Sequence, residues 1–174
     1  FTISLVLIVS VLIVYQQVRF AQNKPIGYAK ENVVYFDLEG KVFANKKNFF
    51  EELRRVSGVA QVGGINQSLI REDGGSSTYG VEWPGKIDGK NIDFMIRAVD
   101  ENLVRTLGME IKDGKSFSDS MGSNATYLLL NETAVKVMGL KDAVGTKVKL
   151  WGEEKTILGV MKDFHTASIH QPIS

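Results

Sequence analysis

Gly80-Val-Glu-Trp-Pro-Gly85-Lys86 has the spacing of a phosphate-binding loop, two glycines separated by four residues and then a lysine. In such a loop the amides at a strand-to-helix turn cradle phosphate, and a following Ser or Thr holds magnesium. Ile87 stands where that hydroxyl belongs, and Pro84 with Asp88-Gly89 predicts a hairpin in place of a helix, so nucleotide binding is not expected. Asp163, His165 and His170 are the next candidates, as metal ligands. A spacing of five does not put two imidazoles on one helix face. The stretch Thr166-Ala-Ser-Ile-His-Gln-Pro172 reads as a loop after a strand, which makes both histidines solvated loop residues. No G-x-S-x-G elbow occurs, and Ser76-Ser77 reads as linker. Glu51-Glu52 beside Arg54-Arg55 is a charged helix face, not an acid/base dyad. Asn66, Asn124 and Asn131 begin glycosylation sequons, but Asn131 already has a role as a helix cap. The chain has no Cys, which removes disulfides, thiol nucleophiles and cysteine zinc sites. No catalytic, cofactor-binding or metal residue is assigned, and the chain is read as a non-enzyme without a cofactor.

The elements around these residues begin with an apolar stretch. None of the residues from Phe1 to Val18 is charged, and nothing later is comparably apolar. Eighteen residues make roughly 27 Å of helix, slightly less than a ~30 Å hydrocarbon core. Ser4 and Ser10 can bond back to carbonyls of the preceding turn. Tyr15 falls where interfacial aromatics sit, and Arg19 can snorkel to headgroups. A cleaved signal is disfavoured by the missing Met, the missing basic flank and the lack of a small-x-small site near Tyr15-Gln16-Gln17. A buried core element is the bland alternative. The favoured reading is the outer part of a transmembrane helix that begins upstream of Phe1.

The full chain of 174 residues carries 21 basic and 20 acidic residues, a net charge of +1. That balance gives neither a nucleic-acid footprint nor an acidic tail. After the apolar stretch, residues 16–24 can prolong the helix, and Pro25 and Gly27 end it. Val33 to Leu38 is read as a strand. Asn45 is read as the N-cap of a helix from about Lys46 to Val56 with Phe49, Phe50, Leu53 and Val56 on one buried face. Glu51 and Arg55 form an i,i+4 pair on its wet side, and Ser57-Gly58 stops it. Val59 to Ile65 is a second strand, so residues 33–65 form one β-α-β unit.

Asp73-Gly74-Gly75-Ser76-Ser77 marks a subdomain boundary. Strands are expected over Thr78 to Trp83 and Ile92 to Val99, with Asp88-Gly89 as the turn. Asp100 caps a short helix with Leu103, Val104 and Leu107 inward and Gly108 at its end. Lys112-Asp113-Gly114-Lys115 turns the chain. Tyr127 to Leu130 is an apolar strand, followed by a helix from Glu132 to Met138 between Asn131 and Gly139. Thr146 to Trp151 and Lys155 to Phe164 form the clearest hairpin, turning at Gly152-Glu153.

With these pieces in order, nearly the whole chain resembles the MacB-like periplasmic core domain of FtsX-type ABC transporter permeases. It is most similar to the second unit in duplicated permeases of Bacteroides-like bacteria. The resemblance is carried by Ser4-Leu5-Val6-Leu7-Ile8-Val9, Gln17-Val18-Arg19-Phe20, Pro25-Ile26-Gly27-Tyr28 and Glu31-Asn32-Val33-Val34. Further along come Gly108-Met109-Glu110-Ile111, Asp113-Gly114-Lys115-Ser116-Phe117-Ser118, Leu130-Asn131-Glu132-Thr133-Ala134 and Val144-Gly145. Ile157-Leu158-Gly159-Val160-Met161-Lys162-Asp163-Phe164-His165 completes it. Lys115 departs from the family's usual arginine, keeping charge but not a bidentate fork. Asp142-Ala143-Val144-Gly145 replaces Asp-Pro-Ile-Gly.

The resemblance implies an α+β fold. Residues 1–24 would be the transmembrane helix and its periplasmic extension, 25–70 the first β-α-β half of a porter-like lobe, and 71–174 an inserted mixed lobe of the kind called Sabre. The second porter half would follow the end of this chain, and the surface it should cover would be filled by another copy, by the hydrophobic helix, or be poorly ordered. The implied function is non-catalytic: a periplasmic domain in the bacterial inner membrane that couples ATP hydrolysis by a cytosolic ABC ATPase subunit to export or extraction of a substrate. Its expected partners are that ATPase, a second copy or homologous periplasmic domain, and membrane lipid, with no nucleic acid. The alternative is a membrane-tethered extracytoplasmic ligand-binding or sensor domain.

Overall fold

Every residue from Thr2 to Asn23 enters one helix, α1, about 33 Å long at 1.5 Å per residue. The computed structural model describes residues 1–23, 26–69, 76–87, 89, 91–118 and 126–165. Within α1 the Ser10 hydroxyl donates to the Val6 carbonyl at 2.8 Å, the back-bond anticipated from sequence. The Arg19 guanidinium lies 5.8 Å from the centre of the Tyr15 ring. Among the described residues α1 is the one helix long and apolar enough to cross a membrane, and the rest of the chain covers none of its Thr2–Phe20 stretch. Among the described residues α1 is therefore not a buried core element. Pro25, expected to end the helix, lies outside the described residues.

Residues 33–38 pair with no strand among the described residues, which corrects the first expected strand. Branched and aromatic side chains favour a strand, but ladder bonds need a neighbouring backbone. Val34 instead is 83% exposed, and Val33, Tyr35 and Phe36 are exposed as well. A helix unforeseen from sequence follows, α2 (Gly40–Ala44), and then α3 (Lys46–Arg55). Asn45 does not cap α3 through its side chain. Its amide donates to the Lys41 carbonyl at 3.1 Å and so closes α2, whose last carbonyls lack intrahelical partners. On the wet side of α3 the ion pair is Glu52–Arg55 at 2.7 Å, not Glu51–Arg55. Phe49 meets Phe36 edge-on at 6.1 Å and lies tilted against Phe50 at 6.4 Å, yet no α3 residue is fully buried. The second expected strand, 59–65, forms only an isolated bridge, Ile65 to Val99.

The remaining strands make two sheets. Strand β1 (Ser76–Thr78) pairs antiparallel with β3 (Phe94–Ile96). Ser76-Ser77, expected as linker, therefore belongs to a strand. The single strand expected over 78–83 breaks at Tyr79-Gly80, and the Gly80 carbonyl accepts the Trp151 amide at 3.1 Å. Beyond that break, β2 (Val81–Glu82) joins β6 (Lys147–Leu150) in the larger sheet. There the nine-residue β7 (Glu153–Met161) is the centre: it pairs antiparallel with β6 and β4 (Ile111–Gly114) and parallel with β5 (Tyr127–Asn131). Lys112 to Gly114, expected as a turn, lies in β4 beside a bulge. The β6–β7 turn is Trp151-Gly152, at φ 51° and 82°, one residue earlier than anticipated and with the two positive φ values a two-residue hairpin loop requires.

Helix α4 (Leu103–Thr106) and helix α5 (Glu132–Met138) complete the fold. The core packs Val81, Trp83, Met138, Ala143, Val148, Leu150 and Val160 around Ile157, which is fully inaccessible. The Trp83 indole N–H donates to the Met138 carbonyl at 2.9 Å, and its ring meets Phe94 edge-on at 5.8 Å. The chain is thus α+β: an apolar N-terminal helix followed by small mixed sheets and short helices.

Candidate functional site

The residues whose types suggested chemistry are engaged within the fold. After β2 the chain turns at Trp83-Pro84-Gly85, with the Lys86 amide donating to the Trp83 carbonyl at 3.1 Å, so no helix N-terminus follows to face a phosphate. The Lys86 ammonium donates to the Val81 carbonyl at 2.8 Å and lies 5.0 Å from the Trp83 ring centre. Asp163 accepts from Thr133, at 2.9 Å from its amide and 2.8 Å from its hydroxyl. His165 uses its main-chain amide, donating to the Ile26 carbonyl at 2.8 Å. His170 and Asn124 lie outside the described residues. Among the described residues no group of three or more His, Asp and Glu is arranged to hold a metal. Asn66 exchanges bonds with Ala98, and the Asn131 side chain caps α5 by accepting the Ala134 amide at 3.0 Å.

What the fold builds with care is the joint just beyond α1. Residues 26–29 are held on both sides: Ile26 accepts from His165, and the Ala29 amide donates to the Leu107 carbonyl at 2.7 Å. Between them Gly27, at φ 88°, lies flat on the chain leaving β7. A Cβ there would sit 2.6 Å from the Asp163 carbonyl oxygen and 2.7 Å from Phe164 Cα, so the approach needs glycine twice over, for conformation and for space. Tyr28 and Phe164 then pack with Ile65, Val99 and Met109 against buried Leu69, Leu103 and Leu107. Burial raises the Tyr28 phenol above its ordinary value.

The same cluster receives the segment that follows α3. A Cβ on Gly63 would meet Leu103 Cα at 2.8 Å, and one on Gly64 would meet the Phe50 ring at 2.9 Å. The Gly64 amide donates to Asp100 at 2.7 Å, and the other oxygen of that carboxylate accepts the Asn102 and Leu103 amides at 3.1 and 2.9 Å. The expected Asp100 cap is present, and it is also a tie between two segments. Desolvation raises the Asp100 pKa, outweighing the three amides that favour its charged form.

On the far side of α5's first turn, Glu132 pairs with Lys112. That hydrogen bond holds the Glu132 carboxyl below its usual range and Lys112 above its own. A shallow open groove of about 250 Å³ lies beside β6, lined by Glu82, Trp83, Pro84, Lys147, Val148, Lys149 and Glu154. Its Lys147 and Glu154 pair with each other at 2.7 Å. Sequence reasoning found the pieces of the joint, Ile26-Gly27-Tyr28 and Asp163-Phe164-His165, as separate motifs. Only their pairing was hidden.

No family model matches the chain, and no curated protein matches it. Among solved structures it is similar to the periplasmic region of MacB from Actinobacillus actinomycetemcomitans, at 15% identity over 65% of this chain and 50% of that one, with a TM-score of 0.43. It is similar to a permease-protein domain from Porphyromonas gingivalis at 16% identity, 66% and 48% coverage and a TM-score of 0.45. It is also similar to the extracellular domain of the noncanonic ABC-type transporter YknZ from Gram-positive bacteria, at 18% identity, 70% and 62% coverage and a TM-score of 0.47. The chain spans less than two thirds of each of these structures.

Proposed function

We propose that the chain is a membrane helix and periplasmic domain of an ABC transporter permease subunit. In this reading α1 lies in the bacterial inner membrane and the folded part lies outside it. A cytosolic ATPase subunit drives α1, and the domain, working against a second copy or a homologous domain, exports or extracts a substrate without bond chemistry of its own. Residues 25–70 act as the first half of a porter-like lobe and residues 71–174 as the inserted mixed lobe.

The observation that carries this reading is the short, doubly hydrogen-bonded joint of residues 26–29 against His165 and Leu107, close after a helix whose Thr2–Phe20 stretch the domain leaves uncovered. A flexible tether would need no such seating, whereas a part that transmits displacement does. The sensor alternative asks for a concave polar pocket, whereas the groove beside β6 is shallow and open, and its Lys147 and Glu154 are paired with each other.

The absence of cysteine makes the test direct. Single cysteines at Ser10, Ser57 and Lys149, placed in the protein expressed in its membrane, would be challenged in intact cells with a membrane-impermeant maleimide. Labelling of the Ser57 and Lys149 positions with protection at Ser10 is expected. Labelling of either domain position only after lysis overturns the periplasmic placement. Turnover of any substrate by the isolated chain would overturn the non-catalytic role.

A further inference from the structure

Asp163 touches both ends of a mechanical path. Its main-chain carbonyl is the surface on which Gly27 rests, and two residues later the His165 amide is bonded to Ile26. Its carboxylate meanwhile grips α5: one oxygen accepts the Thr133 amide and the other the Thr133 hydroxyl. The Asp163 amide in turn approaches the Glu132 carboxylate at 3.4 Å. One residue thus contacts the chain leaving α1 and the first turn of α5, from a position thirty residues beyond Thr133.

Capping alone does not call for this arrangement. The first turn of α5 already has its own cap in Asn131, which satisfies the Ala134 amide. A second acceptor from another element adds a constraint on where α5 sits. The opposite end of α5 holds the core, since the Met138 carbonyl receives the buried Trp83 indole. A shift passed to Thr133 therefore reaches the hydrophobic core around Trp83 through a single short helix. At the input, Gly27 has no clearance, so residues 26–29 cannot slide over Asp163 without moving it.

We infer that Asp163 is a coupling residue, through which displacement of residues 26–29 is transmitted to α5. This rests on the proposed role of α1 as the moving input. It adds which residue carries the motion and which element receives it.

Linkage makes the coupling reciprocal, so it is measurable from either side. Amide hydrogen exchange would be followed by NMR on the full chain in dodecyl maltoside micelles, for wild type and for D163A, N131A and G27A. N131A removes the local cap and is expected to speed exchange in the first turn of α5 by about fivefold, leaving the His165 amide unchanged. D163A is expected to speed exchange at both places. G27A is expected to speed exchange at Thr133, which Gly27 does not touch. If D163A behaves as N131A does, or G27A disturbs His165 while Thr133 keeps its wild-type rate, the coupling is overturned. Should G27A fail to fold, the contrast between D163A and N131A decides alone. Exchange rates do not depend on which side of a membrane the domain faces, so a negative result here leaves the cysteine-labelling test standing.

Discussion

Gly114 faces Gly159 across the β4–β7 ladder, and neither position has room for a side chain. A Cβ on Gly159 would lie 2.5 Å from the Lys115 carbonyl oxygen, and one on Gly114, at φ 72°, would lie 2.4 Å from the Leu158 carbonyl oxygen. Both obstacles are backbone, which cannot swing aside as a side chain would. G159A is therefore expected to cost about 1–3 kcal/mol through overpacking, and G114A to cost more, because it adds a left-handed alanine at about 1–2 kcal/mol. G139A is the control, since it shares the positive φ but has open space around its Cβ. Urea unfolding should find G114A the least stable, G159A next and G139A mildest. Equal midpoints for G159A and wild type would show that the two strands do not approach as described.

The two tryptophans report on different parts of the fold. Trp83 is buried with its N–H on the Met138 carbonyl, whereas Trp151 is 64% exposed at the hairpin tip. Acrylamide should quench W83F efficiently and W151F poorly. W83F should also lose about 1–3 kcal/mol, because it leaves a buried carbonyl at the end of α5 without its donor. An unchanged unfolding midpoint in W83F would remove that hydrogen bond from the account.

Much of α5 was legible because its signals are local: Asn131 before it, apolar Ala134 and Met138 one turn apart, and Gly139 at φ 70° after it. The β6–β7 hairpin was legible for the same reason, through the alternation of Lys147, Val148, Lys149 and Leu150. The grip of Asp163 on Thr133 was not, since nothing near either residue encodes a partner thirty positions away. Nor was the parallel pairing of β5 with β7, which depends on topology and not on pattern. Val33 to Leu38 failed in the opposite sense: composition favours a strand there, but a strand is completed only by another backbone, and none of the described residues supplies one. The joint at residues 26–29 was visible as motifs and invisible as a contact.

Asp100 and Glu132 should give opposite pH signatures. Burial raises the folded pKa of Asp100, so the folded state holds its proton more tightly than the unfolded chain does. Its contribution is fully present below the ordinary carboxylate pKa and is lost as pH rises through the folded value. The hydrogen bond from Lys112 lowers the folded pKa of Glu132, so that contribution is present above the ordinary value and is lost as pH falls. Urea midpoints measured between about pH 3 and 7 should show the advantage of wild type over D100N shrinking with rising pH. The advantage over E132Q should grow. Parallel trends in the two comparisons would contradict the burial of Asp100 between Gly64 and α4.

Val11 is the midpoint of the Thr2–Phe20 stretch that the domain leaves uncovered. If that stretch lies in lipid, an arginine there must drag charge or water to the centre of the bilayer, at a cost of about 2.5–3.5 kcal/mol. An arginine at Gln17, one turn before the end of the stretch, can reach the headgroups and should cost far less. Membranes bearing the wild-type, V11R and Q17R chains would be extracted with alkaline carbonate. V11R should move to the soluble fraction or be degraded, while Q17R stays with the membrane as wild type does. Among the described residues the folded part covers none of Phe1 to Phe20. Retention of V11R in the pellet alongside Q17R would therefore mean that α1 is not held by hydrocarbon, and the joint at Gly27 would have no moving helix to follow.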